Sequence, residues 1–253
     1  MHNSELVSII TPAYNGARFI RATLDSVIAQ THGNWEMLVV DDCSSDGTVA
    51  LVEEVARAEP RVRLLQQKQN AGPACARNAA LEAARGARVA FLDSDDLWLP
   101  RKLEVQLEFM RRTGAVFTYT GFRRMDEHGQ QLGLMRPLPD SLTYHQYLKN
   151  TAIVTSTVLI DRSKTGDFRM PNKTKCDDFA AWLQILRRGH VATAVHDDLL
   201  RYRVVSSSIS RNKMRWAMGI WRTYREVERL SLPYAAWCFS HYAWRGYQKY
   251  RSL

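Results

Sequence analysis

The chain has 253 residues, 45% of them hydrophobic and 24% charged, and carries a formal net charge of +9. A chain of this size buries a substantial core, and one domain with an appended segment is its natural division. The longest nearly uncharged apolar stretch, 151–160, is about half of what a bilayer crossing needs, which excludes an integral membrane protein of helical type. Cys43, Cys75, Cys176 and Cys238 form no C-x-x-C pair, which argues against a disulfide framework and a structural zinc. No basic segment followed by an apolar run precedes the first strand, so the expected compartment is the cytoplasm.

In chain order, short β-branched runs at 6–11, 35–41, 62–66 and 89–93 read as strands. Helical patterns separate them. Residues 17–30 place Phe19, Ile20, Leu24, Val27 and Ile28 on one face. Asp46 reads as the N-cap of a second helix carrying Val49, Val52 and Val55. A third helix spans 73–84, and Pro100 at a first turn opens a fourth over 101–112. This βαβ alternation predicts an α/β fold with a mainly parallel sheet.

After Gly114 the pattern predicts a strand at 115–122, a turn at 126–133, a short helix at 144–149 and a strand at 153–161. An amphipathic helix over 177–188, stopped by Gly189, and one or two return strands in 190–204 follow. Residues 1–210 read as one catalytic domain, with a nucleotide-binding half (1–113) and an acceptor-binding half (114–210). Residues 211–253 read as two basic, aromatic helices.

Ligands of open parallel sheets bind outside the carboxyl ends of the strands. Those ends carry Pro12-Ala13-Tyr14-Asn15, Asp41-Asp42, Asn70-Ala71-Gly72 and Asp93-Ser94-Asp95-Asp96. Five crowded carboxylates repel one another unless a cation sits among them. In Asp93-x-Asp95 both side chains can face one hard divalent ion that also bridges a diphosphate. Neither a P-loop nor a G-x-G-x-x-G fingerprint is present.

The segments Ser8-Ile9-Ile10-Thr11-Pro12-Ala13-Tyr14-Asn15 and Val39-Val40-Asp41-Asp42-Cys43-Ser44-Ser45-Asp46-Gly47-Thr48 resemble the family 2 inverting glycosyltransferases of GT-A fold. So do Asn70-Ala71-Gly72 with Ala76-Arg77-Asn78, Phe91-Leu92-Asp93-Ser94-Asp95-Asp96, and Asp177-Asp178 with Trp182-Leu183, in the family's order and spacing over 5–210. The resemblance implies a nucleoside-diphosphate sugar donor, by family habit a UDP-sugar, an acceptor hydroxyl on a cell-surface polysaccharide or lipid-linked glycan, and Mn2+ or Mg2+. It implies Pro12, Ala13, Tyr14, Asn15 and Asp41 around the nucleobase, Asn70, Arg77 and Ser94 near the nucleotide, Asp93 at the ribose and metal, and Asp95 as the metal ligand. It implies Asp178 as catalytic base, with Asp177 supporting it.

Two departures stand out. Asp177 replaces the family's usual Glu, and Val205 stands where many relatives carry a His that contacts metal or diphosphate. His196 is a nearby candidate, though a lone His is more often structural, and Arg203 and Arg211 could reach a phosphate, though solvated arginines are the default.

Nine Lys and Arg from Arg211 onward face only Glu226 and Glu228, so seven of the nine net positive charges belong to the tail. Ten of the 25 aromatic residues lie from Trp216 onward, with helices expected over 214–230 and 233–250 and Tyr234, Trp237, His241, Trp244 and Tyr247 at helical spacing. Trp and Tyr interleaved with Lys and Arg suit the headgroup layer of an anionic membrane, contacted peripherally through 212–253. Packing on the catalytic domain and a homodimer contact are the alternatives. A nucleotidyltransferase would need a basic, Gly-rich loop where Pro12–Gly16 stands. A nucleic-acid-binding module would have no use for the clustered carboxylates, so no nucleic-acid partner is expected.

Overall fold

The computed structural model describes residues 5–135, 137–174, 176–205 and 213–251. Four parallel strands form its first half: β1 (Val7–Ala13), β2 (Trp35–Asp41), β3 (Val62–Gln66) and β4 (Arg88–Phe91). β1 lies between β2 and β4, and β3 extends the sheet beyond β2. Successive side chains point to opposite faces, and here both faces are covered, which is why these strands read as nearly continuous apolar runs. Ile10, Leu38, Val40 and Phe91 enter one core cluster, while Val7, Ile9, Met37 and Val39 enter the other.

Helices α1 (Ile20–Ile28), α2 (Thr48–Ala58) and α4 (Lys102–Thr113) fill the second cluster. Helices α3 (Pro73–Ala83) and α7 (Asp177–Leu186) fill the first. Trp182 of α7 is wholly buried, with ring centroids 5.0 Å from Phe91 and 5.5 Å from Phe117, both edge-on. Truncating such a side chain costs about 3–5 kcal/mol, so α7 is anchored firmly on the sheet.

The second half adds β5 (Leu97–Trp98), β6 (Phe117–Met125), β7 (Gln131–Leu132), β8 (Ser141–Leu142), β9 (Leu159–Asp161) and β10 (Ala192–Arg203). The short helices α5 (Tyr144–Tyr147) and α6 (Arg162–Thr165) lie between them. The sheet order is β3-β2-β1-β4-β9-β6-β10-β5. β9 is antiparallel to both β4 and β6, so β6 and β10 again run with β1. Their carboxyl ends therefore reach the same rim as β1, β2 and β4.

Local differences from the sequence expectation have local causes. The first helix begins at Ile20 rather than 17, because Gly16 O takes both the Phe19 and Ile20 N–H while Asp46 Oδ2 takes that of Ala17. Asp46 is not the N-cap; Gly47 is, and Asp46 accepts from Thr48 N at 2.9 Å one residue earlier. The fourth helix starts at Lys102, two residues past Pro100, whose carbonyl is used by Thr31. Of the strand expected at 153–161 only β9 pairs. Residues Thr155–Thr157 form a 3-10 turn in which Thr157 Oγ1 donates to Val154 O, a side-chain bond that competes with ladder formation.

The tail expected at 214–250 is α8 (Lys213–Arg222), a π-helical turn Thr223–Val227, and α9 (Leu232–Arg251). Ile220, Tyr224, Ala235 and Cys238 are buried in the same cluster as α7. Glu228, almost completely enclosed, accepts from Tyr144 OH at 2.7 Å and from Arg187 at 3.3 Å. One face of the tail is thus part of the core. The other exposes Met214, Met218, Leu232, Trp237 and Trp244.

Candidate active site

The rim is built by the residues that follow each parallel strand. After β1, Tyr14 is 55% exposed, Ala13 is buried and Pro12 is half-buried. Asn15 adopts a left-handed φ of 48° and braces the neighbouring loop, giving its N–H to Ser44 Oγ and accepting the Ser45 N–H at 2.8 Å. After β2, Asp41 is 3% exposed; its Oδ2 accepts the Ser44 N–H at 3.0 Å, and its Oδ1 is buried without a protein partner. Asp42 is structural. It accepts N–H groups from Ala71 at 2.8 Å and Gly72 at 2.7 Å, and Asn70 Nδ2 donates to its backbone oxygen at 3.0 Å. Asn70 therefore sits at the rim, but its amide nitrogen holds the loop that opens α3.

After β4 comes the acidic run. Arg77, reaching up from α3, bonds Asp93 Oδ1 at 2.5 Å. Burial works against the Arg77 charge, but Asp93 and then Asp178 outweigh it and hold the guanidinium above its ordinary value. Asp95 is shifted the other way for an acid: burial first, and Asp93 second, push its carboxyl up to about 6. Asp96 is fully buried, and burial and then Asp95 push its carboxyl well above the ordinary value. It accepts the Arg203 N–H at 2.8 Å. Ser94 O accepts from Thr23 Oγ1 at 2.9 Å, locking the run onto α1.

Asp178 joins this cluster from the far half of the chain. It stands in the first turn of α7; Oδ2 accepts from Thr155 Oγ1 at 2.7 Å and Oδ1 from Phe179 N at 2.8 Å. Its neighbour Asp177 is engaged by the backbone, with Oδ1 accepting from Lys173 N at 3.0 Å and Thr174 N at 3.1 Å. The two adjacent carboxylates therefore do different things. Asp177 shapes the turn, and Asp178 is held by Thr155; both act on the Arg77 charge, Asp178 the more strongly.

Two of the candidates raised by the sequence are engaged elsewhere. His196 is no substitute at the rim: it pairs with Asp140 at 2.8 Å, seven residues back along β10 from Arg203, roughly 20 Å of extended chain. Arg203 is not solvated, and its Nε and Nη1 are taken by backbone carbonyls. It is 6% exposed, gives Nε to Asp95 O at 2.7 Å and stacks 4.5 Å from the Phe19 ring. Val205 is half-buried and offers no ligand atom; Arg211 and residues 206–210 lie outside the described residues.

Among the described residues no three His, Cys, Asp or Glu side chains close into a ready-made metal cage. Sequence patterns missed Thr155 and Ser156. Their only signal was hydroxyls in a run otherwise read as strand, and pairing with Asp178 and Asp93 depends on contacts across the fold.

A carboxylate-lined rim on an open, largely parallel sheet, with a half-buried second carboxylate delivered by α7, defines a GT-A type transferase. A profile described as "Glycosyl transferase family 2" matches residues 8–171. TuaG of Bacillus subtilis (strain 168), a glycosyltransferase assigned to teichuronic acid biosynthesis, is 46% identical over 96% of this chain and 97% of its own. WfgD of Escherichia coli, a UDP-Glc:alpha-D-GlcNAc-diphosphoundecaprenol beta-1,3-glucosyltransferase, is 38% identical over 85% and 84%. The fold matches TarS 1-349 of S. aureus in complex with UDP-GlcNAc, with TM-score 0.71 at 19% identity over 94% of this chain and 71% of that one. The chain belongs to glycosyl transferase family 2 and is a glycosyltransferase.

Proposed function

We propose that the protein moves a sugar from a UDP-sugar to a hydroxyl of a lipid-linked glycan, with inversion and with Asp178 as the base. One observation carries this: consecutive residues of one turn bond both acids, Thr155 Oγ1 holding Asp178 Oδ2 at 2.7 Å and Ser156 Oγ accepting the Asp93 N–H at 3.0 Å, which brings the two halves of the chain to one rim. Inversion by single displacement needs a carboxylate on the acceptor side, opposite the departing diphosphate. Asp178 meets that need, because Thr155 Oγ1 and Phe179 N fix its two oxygens in place while each keeps a lone pair that can accept a proton. The transition state is oxocarbenium-like, by analogy with glycoside hydrolysis.

The buried, unpartnered Oδ1 of Asp41 fits an N–H of a nucleobase, with the Tyr14 ring beside the Pro12–Ala13 backbone completing the pocket. Asp95 fits a divalent cation: a half-buried carboxylate crowded by Asp93 and Asp96 gains from a positive charge next to it. Asp93, already paired with Arg77, contributes the second oxygen set. Such an ion, Mg2+ or Mn2+, supplies charge neutralisation at the leaving diphosphate. UDP and a diphosphoundecaprenol-type acceptor are favoured by the resemblance to WfgD, and a cell-surface polysaccharide product by that to TuaG.

A lipid-linked acceptor brings the enzyme to the cytoplasmic face of a membrane. Trp237 and Trp244 are 48% and 59% exposed, on a helix next to exposed Arg225, Arg229 and Arg245. Among the described residues no helix is long and apolar enough to cross a membrane, so this contact is peripheral.

The test is a panel of nucleotide-sugars scored by thermal shift with and without Mg2+ or Mn2+. UDP-sugars should stabilise the protein in a metal-dependent way; a protein indifferent to every nucleotide-sugar would overturn the proposal.

A further inference from the structure

The 3-10 turn Thr155–Thr157 touches both sides of the rim. Thr155 Oγ1 holds Asp178 Oδ2 at 2.7 Å, and Ser156 Oγ accepts the Asp93 N–H at 3.0 Å. Two consecutive residues therefore set the spacing between the donor-side carboxylates and the base.

The turn is gripped from behind by side chains that touch none of those groups except through it. Trp98 Nε1 donates to Ser156 O at 2.8 Å, and Gln106 Nε2 donates to Thr157 O at 3.1 Å. The other Gln106 proton goes to Thr118 Oγ1 at 3.0 Å, and its Oε1 accepts from Lys102 Nζ at 2.6 Å. Lys102 Nζ lies 4.0 Å from the Trp98 ring centroid. Lys102, Gln106 and Thr118 are completely buried. The donors and acceptors leave one orientation for the amide: oxygen to the lysine, both N–H groups to Thr118 and the turn.

A lysine and a glutamine on successive turns of α4 are a costly way to fill a core. Burial alone pushes the Lys102 amine well below the usual lysine range, and apolar residues of similar volume fill such space at least as well. A half-satisfied polar network is worse than none, whereas a complete one fixes a single arrangement. What this network fixes is the height and register of the turn.

We propose that Gln106, oriented by Lys102 and seconded by Trp98, is a positioning residue for transfer: it holds Thr155–Thr157 so that Asp178 stands at working distance from Asp93 and Asp95. The proposal rests on Asp178 being the base. A misplacement of about 1 Å between reacting groups can lower a rate by about 100-fold without touching them.

The test compares wild type with Gln106→Met, the double variant Lys102→Met/Gln106→Met and Trp98→Phe, using UDP release from UDP-glucose, UDP affinity by calorimetry, melting temperature and amide exchange over 154–158. Gln106→Met leaves a buried amine unpaired and should melt early. The double variant removes that amine, so its melting temperature should recover while turnover stays down about tenfold or more. UDP affinity should change by less than about threefold. Trp98→Phe keeps a ring over Lys102, loses only the bond to Ser156 O, and should slow turnover by about threefold or more with faster exchange in the turn. Turnover tracking melting temperature across the series, or unchanged exchange over 154–158, overturns the proposal. An Asp178→Asn control separates the two levels: full turnover there refutes the base, and the exchange result still decides what holds the turn.

Discussion

Arg77 and Asp93 form a buried ion pair, 2.5 Å between guanidinium nitrogen and carboxylate oxygen, with the side chains 11% and 31% exposed. Asp178 adds to the attraction from the other half of the chain. Removing one member leaves the other charged and poorly solvated. Arg77→Met should therefore lower unfolding free energy by about 1–3 kcal/mol, because Asp93 retains some solvent. Urea denaturation at neutral pH measures it. Arg77→Lys should recover only part, because an ammonium offers no planar fork to the carboxylate.

Asp95 predicts an effect of pH on stability. Its carboxyl is raised to about 6 in the fold from an ordinary value of 3.8, by burial and then by Asp93. The folded protein binds this proton more tightly than the unfolded chain. The contribution is most favourable below the unfolded value and is lost as pH rises towards and through about 6. Asp95→Asn should accordingly stabilise the metal-free protein at pH 8, by up to about 2 kcal/mol, and change it little at pH 4.5. The same substitution should weaken metal-dependent binding of a UDP-sugar about tenfold or more. Paired urea titrations at the two pH values, with calorimetry, check both halves.

The parallel half was legible because its signals are local. β2 and β3 fall where their apolar runs stand, and α3 starts at its proline. The second half was less so. Thr155–Thr157 looks like strand because β-branched residues favour strands, yet its hydroxyls are satisfied by Val154 O and Asp178 instead. The family pattern picked out Asp93, Asp95 and Asp178, but not that Arg77 pairs with Asp93, since a salt bridge between α3 and the loop after β4 leaves no periodic trace. Arg203 misled for the same reason: charge suggests solvent or phosphate, and only the fold shows it clasping Asp95 O against Phe19.

The tail has two faces, and they call for different tests. Deleting 212–253 would strip Ile220, Tyr224, Ala235 and Cys238 from the core and leave Tyr144 and Arg187 without Glu228, so that deletion tests folding rather than docking. Point changes on the outer face avoid this. Trp237→Ser with Trp244→Ser should cut the fraction of protein floating with phosphatidylglycerol vesicles severalfold, each interfacial indole contributing on the order of 1–2 kcal/mol. The melting temperature should stay within about 3 °C of wild type. Equal flotation of both proteins would show that the exposed tryptophans serve some other contact.

The central claim is that Asp178 takes the acceptor proton, and Asp178→Asn tests it most directly. The amide keeps the size of the side chain and an acceptor for the Thr155 hydroxyl, so UDP should bind within about threefold of wild type. Transfer from the UDP-sugar should fall by about 100-fold or more, the usual contribution of a positioned general base. A variant that binds UDP and still transfers at close to the wild-type rate would contradict the account.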